Sequence, residues 1–228
     1  MGIERSVKNG YSNLEIGTTN SGRSEIPFEH VTIRKNSNKN CFTLPRTRTH
    51  DGPAGKKIQA CRKAVEQHPQ DAEVYFQLGL ACRKGKCLKE AAQAYETSIH
   101  LNPKNKKAMH GLAITYRKLK RYDDSIAICH EILKLDPDYA KVYFNLGLIY
   151  EEQGEWEKAI KQHRKALDLN PDDFQVHYNL ARGYDAVKDG SKAIEHIRKA
   201  ESIADRENDE KGKNESKILL LALLEKLK

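Results

Sequence analysis

The stretch VYFNLGLIYEEQGEWEKAIKQHRKALDLNP, residues 142–171, nearly repeats VYFQLGLACRKGKCLKEAAQAYETSIHLNP, residues 74–103. The offset is 68 residues, and half of it, 34, predicts a further copy near residue 106. KKAMHGLAITYRKLKRYDDSIAICHEILKLDP, residues 106–137, meets that expectation. FQVHYNLARGYDAVKDGSKAIEHIRKAESIAD follows from residue 174, and a half copy, KKIQACRKAVEQHP, occupies 56–69. A fixed period of this length means one structural unit stacked on copies of itself.

The columns of the repeat have physical reasons. Leu78, Leu112, Leu146 and Leu180 form one column, Gly79, Ala113, Gly147 and Ala181 the next, and Cys82, Tyr116, Tyr150 and Tyr184 a third. Spacings of one and three put these side chains on one buried face of a helix. The small residue lets a second helix come close, and that second helix answers with Ala91, Ser125, Ala159 and Ala193. Lys-Gly-Lys at 84–86 and Gln-Gly-Glu at 153–155 mark turns between the two helices. Pro69, Pro103, Pro137 and Pro171 end the second helices, because a residue before proline avoids the helical region.

This pattern resembles the tetratricopeptide repeat family, whose Trp-x2-Leu-Gly-x2-Tyr, Ala, aromatic, Ala and Pro positions match Tyr143, Leu146, Gly147, Tyr150, Ala159, Ala166 and Pro171. Cys82, Cys129, His163 and Asp205 depart from it. The resemblance implies an all-α, right-handed superhelical solenoid of antiparallel helix pairs. The half repeat would span 56–70 and the full repeats 72–105, 106–139, 140–173 and 174–205. One helix pair cannot bury its own apolar face, and stacked neighbours can.

The 228 residues are 38% hydrophobic and 32% charged, which suits a thin array in which every helix keeps a wet face. A formal charge of +8 favours acidic partners. No apolar run reaches the roughly 18 residues of a membrane helix. Glu4, Arg5, Lys8 and Glu15 break any secretory signal at the start of the chain. Five cysteines without metal-site spacing read as reduced thiols of a cytoplasmic protein.

The two ends differ from the array. Residues 1–55 contain 17 Ser, Thr or Asn and read as an irregular basic arm, carrying Arg34, Lys35, Lys39, Arg46 and Arg48. Within it FEHVTIRK, residues 28–35, is a candidate strand or extended peptide. Residues 206–228 read as a charged linker and a Leu-rich capping helix, with Leu220, Leu223, Leu224 and Leu227 on one face. Ile218, Leu219 and Leu221 would be left over on the other.

In the family, the first helix of each pair lines a concave groove for a peptide or helix. Here one groove column reads Phe76, His110, Phe144, Tyr178, and the next reads Leu80, Ile114, Leu148, Arg182. Between them lie Gln77, Gly111, Asn145 and Asn179, whose carboxamides carry both donor and acceptor for a peptide backbone. Arg83, Lys84, Arg117 and Lys118, with Lys107 beside them, make the N-terminal half basic. Glu151, Glu152 and Asp185 take the equivalent places later. The groove is thus expected to be positive at one end and negative at the other, steering an acidic peptide to the first two repeats. The lysine–asparagine clamp with which some family members hold chaperone tails is absent, since Phe76 and Leu80 stand in place of its first pair, or His110 and Ile114 if the frame shifts by one copy.

The expected role is a non-enzymatic interaction module that scaffolds or escorts a protein partner, as an assembly factor or accessory subunit. Self-assembly through the arm or the Leu-rich tail is the alternative. Nucleic acid is disfavoured, because acidic groove residues repel phosphates. GPAGKK, residues 52–57, lacks the spacing and Ser/Thr of a phosphate loop. No nucleophile, base and orienting group assemble, and neither cofactor nor metal is expected.

Overall fold

The structure is a computed structural model and describes residues 52–226. Most of the basic arm, FEHVTIRK with it, and Leu227 lie outside the described residues. Within them run α1 (Pro53–Gln67), α2 (Ala72–Lys84), α3 (Leu88–Leu101), α4 (Lys106–Lys118) and α5 (Tyr122–Leu135). They are followed by α6 (Ala140–Glu152), α7 (Trp156–Leu169), α8 (Phe174–Ala186), α9 (Gly190–Arg206) and α10 (Glu210–Glu225). No strand forms among the described residues. Each helix packs on the next in sequence, and the first helices of neighbouring pairs touch as well, α2 on α4 and α4 on α6. Contact confined to neighbours is the signature of a one-dimensional stack.

The period extends to the backbone. Lys86, Lys120, Gly154 and Lys188 sit at φ of 62°, 59°, 78° and 63°, one in each turn within a pair. Each turn closes the same way. Cys87 N–H reaches the Cys82 carbonyl at 2.9 Å, and Asp189 N–H reaches that of Tyr184 at 2.8 Å. The turn therefore needs a left-handed residue at one fixed place. Only the third copy puts glycine there. Gly85, inside the Lys-Gly-Lys that marks this turn in the sequence, is one residue early and lies at φ −78°.

The small columns do what their sizes imply. Gly79 receives the Tyr95 ring, whose Cδ1 would lie 2.7 Å from an added Cβ. Where serine replaces alanine, its hydroxyl is satisfied across the helix pair. Ser98 Oγ donates to the Ala72 carbonyl and Ser125 Oγ to that of Ala113, both at 2.7 Å. At the N-terminal end Arg62 of α1 grips Glu90 of α3 with Nε at 2.9 Å and Nη2 at 2.8 Å.

The fourth copy lacks its proline, and its second helix runs on. α9 has 17 residues where α3, α5 and α7 each have 14. The charged stretch expected to be a linker is helical as well, since α10 begins at Glu210. α10 packs on α9 and α8 as a cap would. Its buried face is Gly212, Ser216 and Leu223, with Leu219 and Leu220 partly packed into the core. Leu224 is instead 37% exposed, on the side of Ile218 and Leu221. Packing against α8 and α9 sets this phase, and it exchanges the expected places of Leu219 and Leu224.

Candidate functional site

The face of α2, α4, α6 and α8 that carries the expected groove is now specified side chain by side chain. Phe76, Leu80, Ile114, Phe144, Leu148 and Tyr178 are half-buried. Phe76 leans on Tyr95 with ring centres 6.1 Å apart, and Tyr178 stacks on Phe174 at 6.0 Å. His110 meets Tyr139 edge-on at 5.7 Å, and burial, followed by Lys141 and Arg83, lowers its pKa to about 4. It therefore belongs to the neutral, apolar column rather than to the basic one.

The carboxamide column is mostly not free to hold a ligand. Asn145 is 2% exposed, donates to Cys129 Sγ at 3.4 Å and accepts from Arg117 Nε at 3.1 Å. Asn179 is 5% exposed and accepts from Arg182. Gln77 donates to Glu73 on its own helix at 2.7 Å. Gly111 faces Tyr95, whose Cζ would lie 2.6 Å from an added Cβ. These residues fill the seam between repeats. A large Tyr95 meets Gly111, and a small Cys129 meets Asn145.

The charges differ from the simple two-ended gradient. Arg117 is ion-paired to Glu152 of the next repeat. Glu151, with 6% of its side chain exposed, is shared between His163 Nε2 at 2.7 Å and Arg182 Nη1 at 3.2 Å. Asp185 is paired to Lys226 at 2.6 Å. All three expected acidic residues are thus bridged to cations of the same molecule. Lys84, Lys107 and Lys118 are exposed and make no ion pair among the described residues, and Arg83 only touches Tyr95 Oη at 3.5 Å. Among the described residues the basic half stays open, while the acidic half is largely neutralised.

Two features escaped the sequence. His163 is 1% exposed and sits against Gly147, with Glu151 as its hydrogen-bond partner. His177 and His196 meet Nδ1 to Nδ1 at 3.0 Å, and Tyr184 stacks on His196. Each pair joins a first helix to the second helix that follows it. The 34-residue columns could have revealed them only if read across rather than down. Cys82 and Cys129 are fully buried thiols with raised pKa, Cys129 to about 11 through burial, and Cys61 is half-buried. No group of three or more His, Cys, Asp or Glu able to hold a metal forms among the described residues.

Helix pairs in 34-residue register, joined by one recurrent turn and packed through one small-to-large seam, define an α-helical repeat array. Three family models, each described as tetratricopeptide repeat, match residues 72–105, 107–172 and 144–208. The chain belongs to the tetratricopeptide repeat family. Among solved structures it is similar to TTC0263, a thermophilic TPR protein of Thermus thermophilus, at 22% identity and TM-score 0.62, over 72% of this chain and 89% of that one. It is also similar to MamA from Desulfovibrio magneticus RS-1, residues 41 to the end, at 23% identity and TM-score 0.61, over 69% and 89%. A further MamA crystal structure gives 20% identity and TM-score 0.60, over 70% and 98%. At these identities the likeness is one of fold. The chain matches no curated protein at a significant level. Its repeats mark it as a protein–protein interaction module, and no helix among the described residues is long and apolar enough to cross a membrane.

Proposed function

We propose that the chain holds an extended segment of a partner protein along the face formed by α2, α4, α6 and α8, as a non-catalytic scaffold or escort. The observation that carries this reading is the asymmetry of pairing. The acidic Glu151, Glu152 and Asp185 of the face are bridged within the molecule, whereas among the described residues Arg83, Lys84 and Lys118 make no ion pair beside the half-buried Phe76, Leu80 and Ile114. Unpaired cations beside an apolar strip favour an acidic segment with apolar residues, and they raise its rate of encounter. The test is affinity capture from lysate with the intact chain and with an Arg83→Glu, Lys84→Glu, Lys118→Glu variant. A partner held by the first and lost by the second supports the reading. Equal capture by both overturns it.

Self-association is a second reading, and it rests on α10. Ile218 is 70% exposed and Leu221 63%, with Leu224 beside them. Contiguous exposed apolar side chains mark contact surfaces. Light scattering across a concentration series tests it. Growth in size that Ile218→Glu with Leu221→Glu abolishes would favour this reading, and a constant monomer mass would end it.

A further inference from the structure

In the column that reads Leu80, Ile114 and Leu148 in the earlier repeats, the fourth repeat places Arg182. A lone guanidinium in an aliphatic column is unusual enough to ask what holds it. Its Nη1 donates to Glu151 Oε2 and to Asn179 Oδ1, each at 3.2 Å. Both acceptors are nearly buried, Glu151 with 6% of its side chain exposed and Asn179 with 5% of the residue. Glu151 is itself fixed from behind, because its other oxygen meets His163 Nε2 at 2.7 Å. His163 is 1% exposed, and its Nδ1 is buried without a partner, so the bond to Glu151 is the ring's polar anchor among the described residues. The Arg182 side chain nevertheless keeps 44% of its surface in solvent, and its Nε–H and Nη2 hydrogens make no hydrogen bond among the described residues.

A guanidinium offers five donors in a rigid plane. Here one corner is used inward, and the Nε–Nη2 edge, the pair of parallel donors that matches the two oxygens of a carboxylate, remains outside. The inward bonds also remove most of the rotamer freedom that an arginine would otherwise lose on binding. We infer that Arg182 is a preset carboxylate receptor in the groove, held by Glu151 and His163 as positioning residues, for an aspartate or glutamate side chain of a bound protein segment. Phe144 and Leu148 of the preceding repeat and Tyr178 on the same helix occupy the adjoining groove positions, so the receptor suits an acidic residue flanked by apolar ones. This rests on the groove reading above and adds to it a second anionic station, two repeats beyond Lys118.

The test uses the full chain and a randomised twelve-residue peptide library displayed on phage. Selected peptides are then synthesised with glutamate and with glutamine at the acidic position. Acidic residues next to leucine, phenylalanine or tyrosine should be enriched. Arg182→Leu should weaken the glutamate peptide about tenfold, the size of one charge-assisted bidentate contact, and leave the glutamine peptide unchanged. Arg182→Lys should restore only part of the loss. Glu151→Gln should weaken the glutamate peptide and spare the glutamine one, a discrimination that general unfolding cannot produce. The melting point of each variant checks the fold. Enrichment without acidic residues, or equal glutamate-peptide binding by wild type and Arg182→Leu, overturns the receptor. Tighter binding of a phosphoserine analogue overturns the carboxylate assignment. If Arg182→Leu changes nothing while Arg83→Glu, Lys84→Glu, Lys118→Glu abolishes binding, the groove reading stands and the receptor alone fails.

Discussion

The ring of Tyr95 fills the space that a side chain on Gly111 would need, with Tyr95 Cζ 2.6 Å from where the Cβ would stand. One repeat later the same two columns hold Cys129 and Asn145, in contact at 3.4 Å. The two columns compensate in volume across the seam between repeats. Gly111→Asn should therefore destabilise the chain by about 2–3 kcal/mol through overpacking. Tyr95→Cys should cost a similar amount by leaving a cavity. The double variant recreates the Cys129–Asn145 pair and should lose less than the sum, by about 1 kcal/mol or more. Urea denaturation of the four proteins measures the coupling, and strict additivity would show that the seam is not shared.

The left-handed turn residues give a second prediction. Lys86, Lys120 and Lys188 adopt a backbone conformation that costs a side-chain-bearing residue about 1–2 kcal/mol, which Gly154 avoids. Part of that gain is offset by the unfolded-state entropy of glycine. Lys→Gly at each of the three positions should raise stability by about 0.5–1 kcal/mol, while Gly154→Lys should lower it by about the same amount. Gly85→Ala is a different case, since its added Cβ would meet Ile58 Cδ1 at 2.8 Å rather than strain the turn. Melting temperatures of the four left-handed-position variants decide the matter.

This turn also shows what the sequence could convey. A period of 34 residues located every helix pair, because the buried columns repeat down the chain. It did not say which residue of Lys84-Gly85-Lys86 takes the left-handed conformation, since glycine alone marks that place and three of four copies use lysine there. It likewise marked Asn145 and Asn179 as groove carboxamides, because position on a helix predicts direction but not the partner that reaches across from the next repeat. Bridges such as Arg117 to Glu152, or Arg182 to Glu151, join residues 35 and 31 positions apart. Such pairs depend on how repeats stack, and no single repeat contains them.

The histidine pair makes stability sensitive to acid. His177 Nε2 lies 3.0 Å from the Pro171 carbonyl. A carbonyl can only accept, so Nε2 carries the proton and Nδ1 accepts from His196. Burial lowers the pKa of both rings, that of His196 to about 4, helped by the His177 charge and by nearby Lys199 and Arg164. Unfolded histidine titrates near 6.5, so below that pH the unfolded chain binds more protons than the folded one. The contribution is complete above pH 6.5 and is lost as the pH falls toward about 4. His196→Gln should flatten the decline of the urea midpoint over this window. His110, also lowered to about 4, leaves a residual slope that His110→Gln should reduce in turn.

Arg117 and Lys118 are neighbours in sequence with opposite duties. The Arg117 side chain is 16% exposed, and it both pairs with Glu152 and donates to Asn145. Lys118 is exposed and makes no ion pair among the described residues. Arg117→Glu would set two carboxylates against each other and remove the donor to a buried carboxamide, so a loss of about 1–3 kcal/mol is expected. Lys118→Glu should change stability by no more than about 0.5 kcal/mol, the usual range of an unconstrained surface site. For this reason charge reversal meant to probe the groove is confined to Arg83, Lys84 and Lys118. Including Arg117 would confuse lost binding with lost structure. Urea titration separates the two residues, and a neutral result for Arg117→Glu would return that arginine to the set of free groove cations.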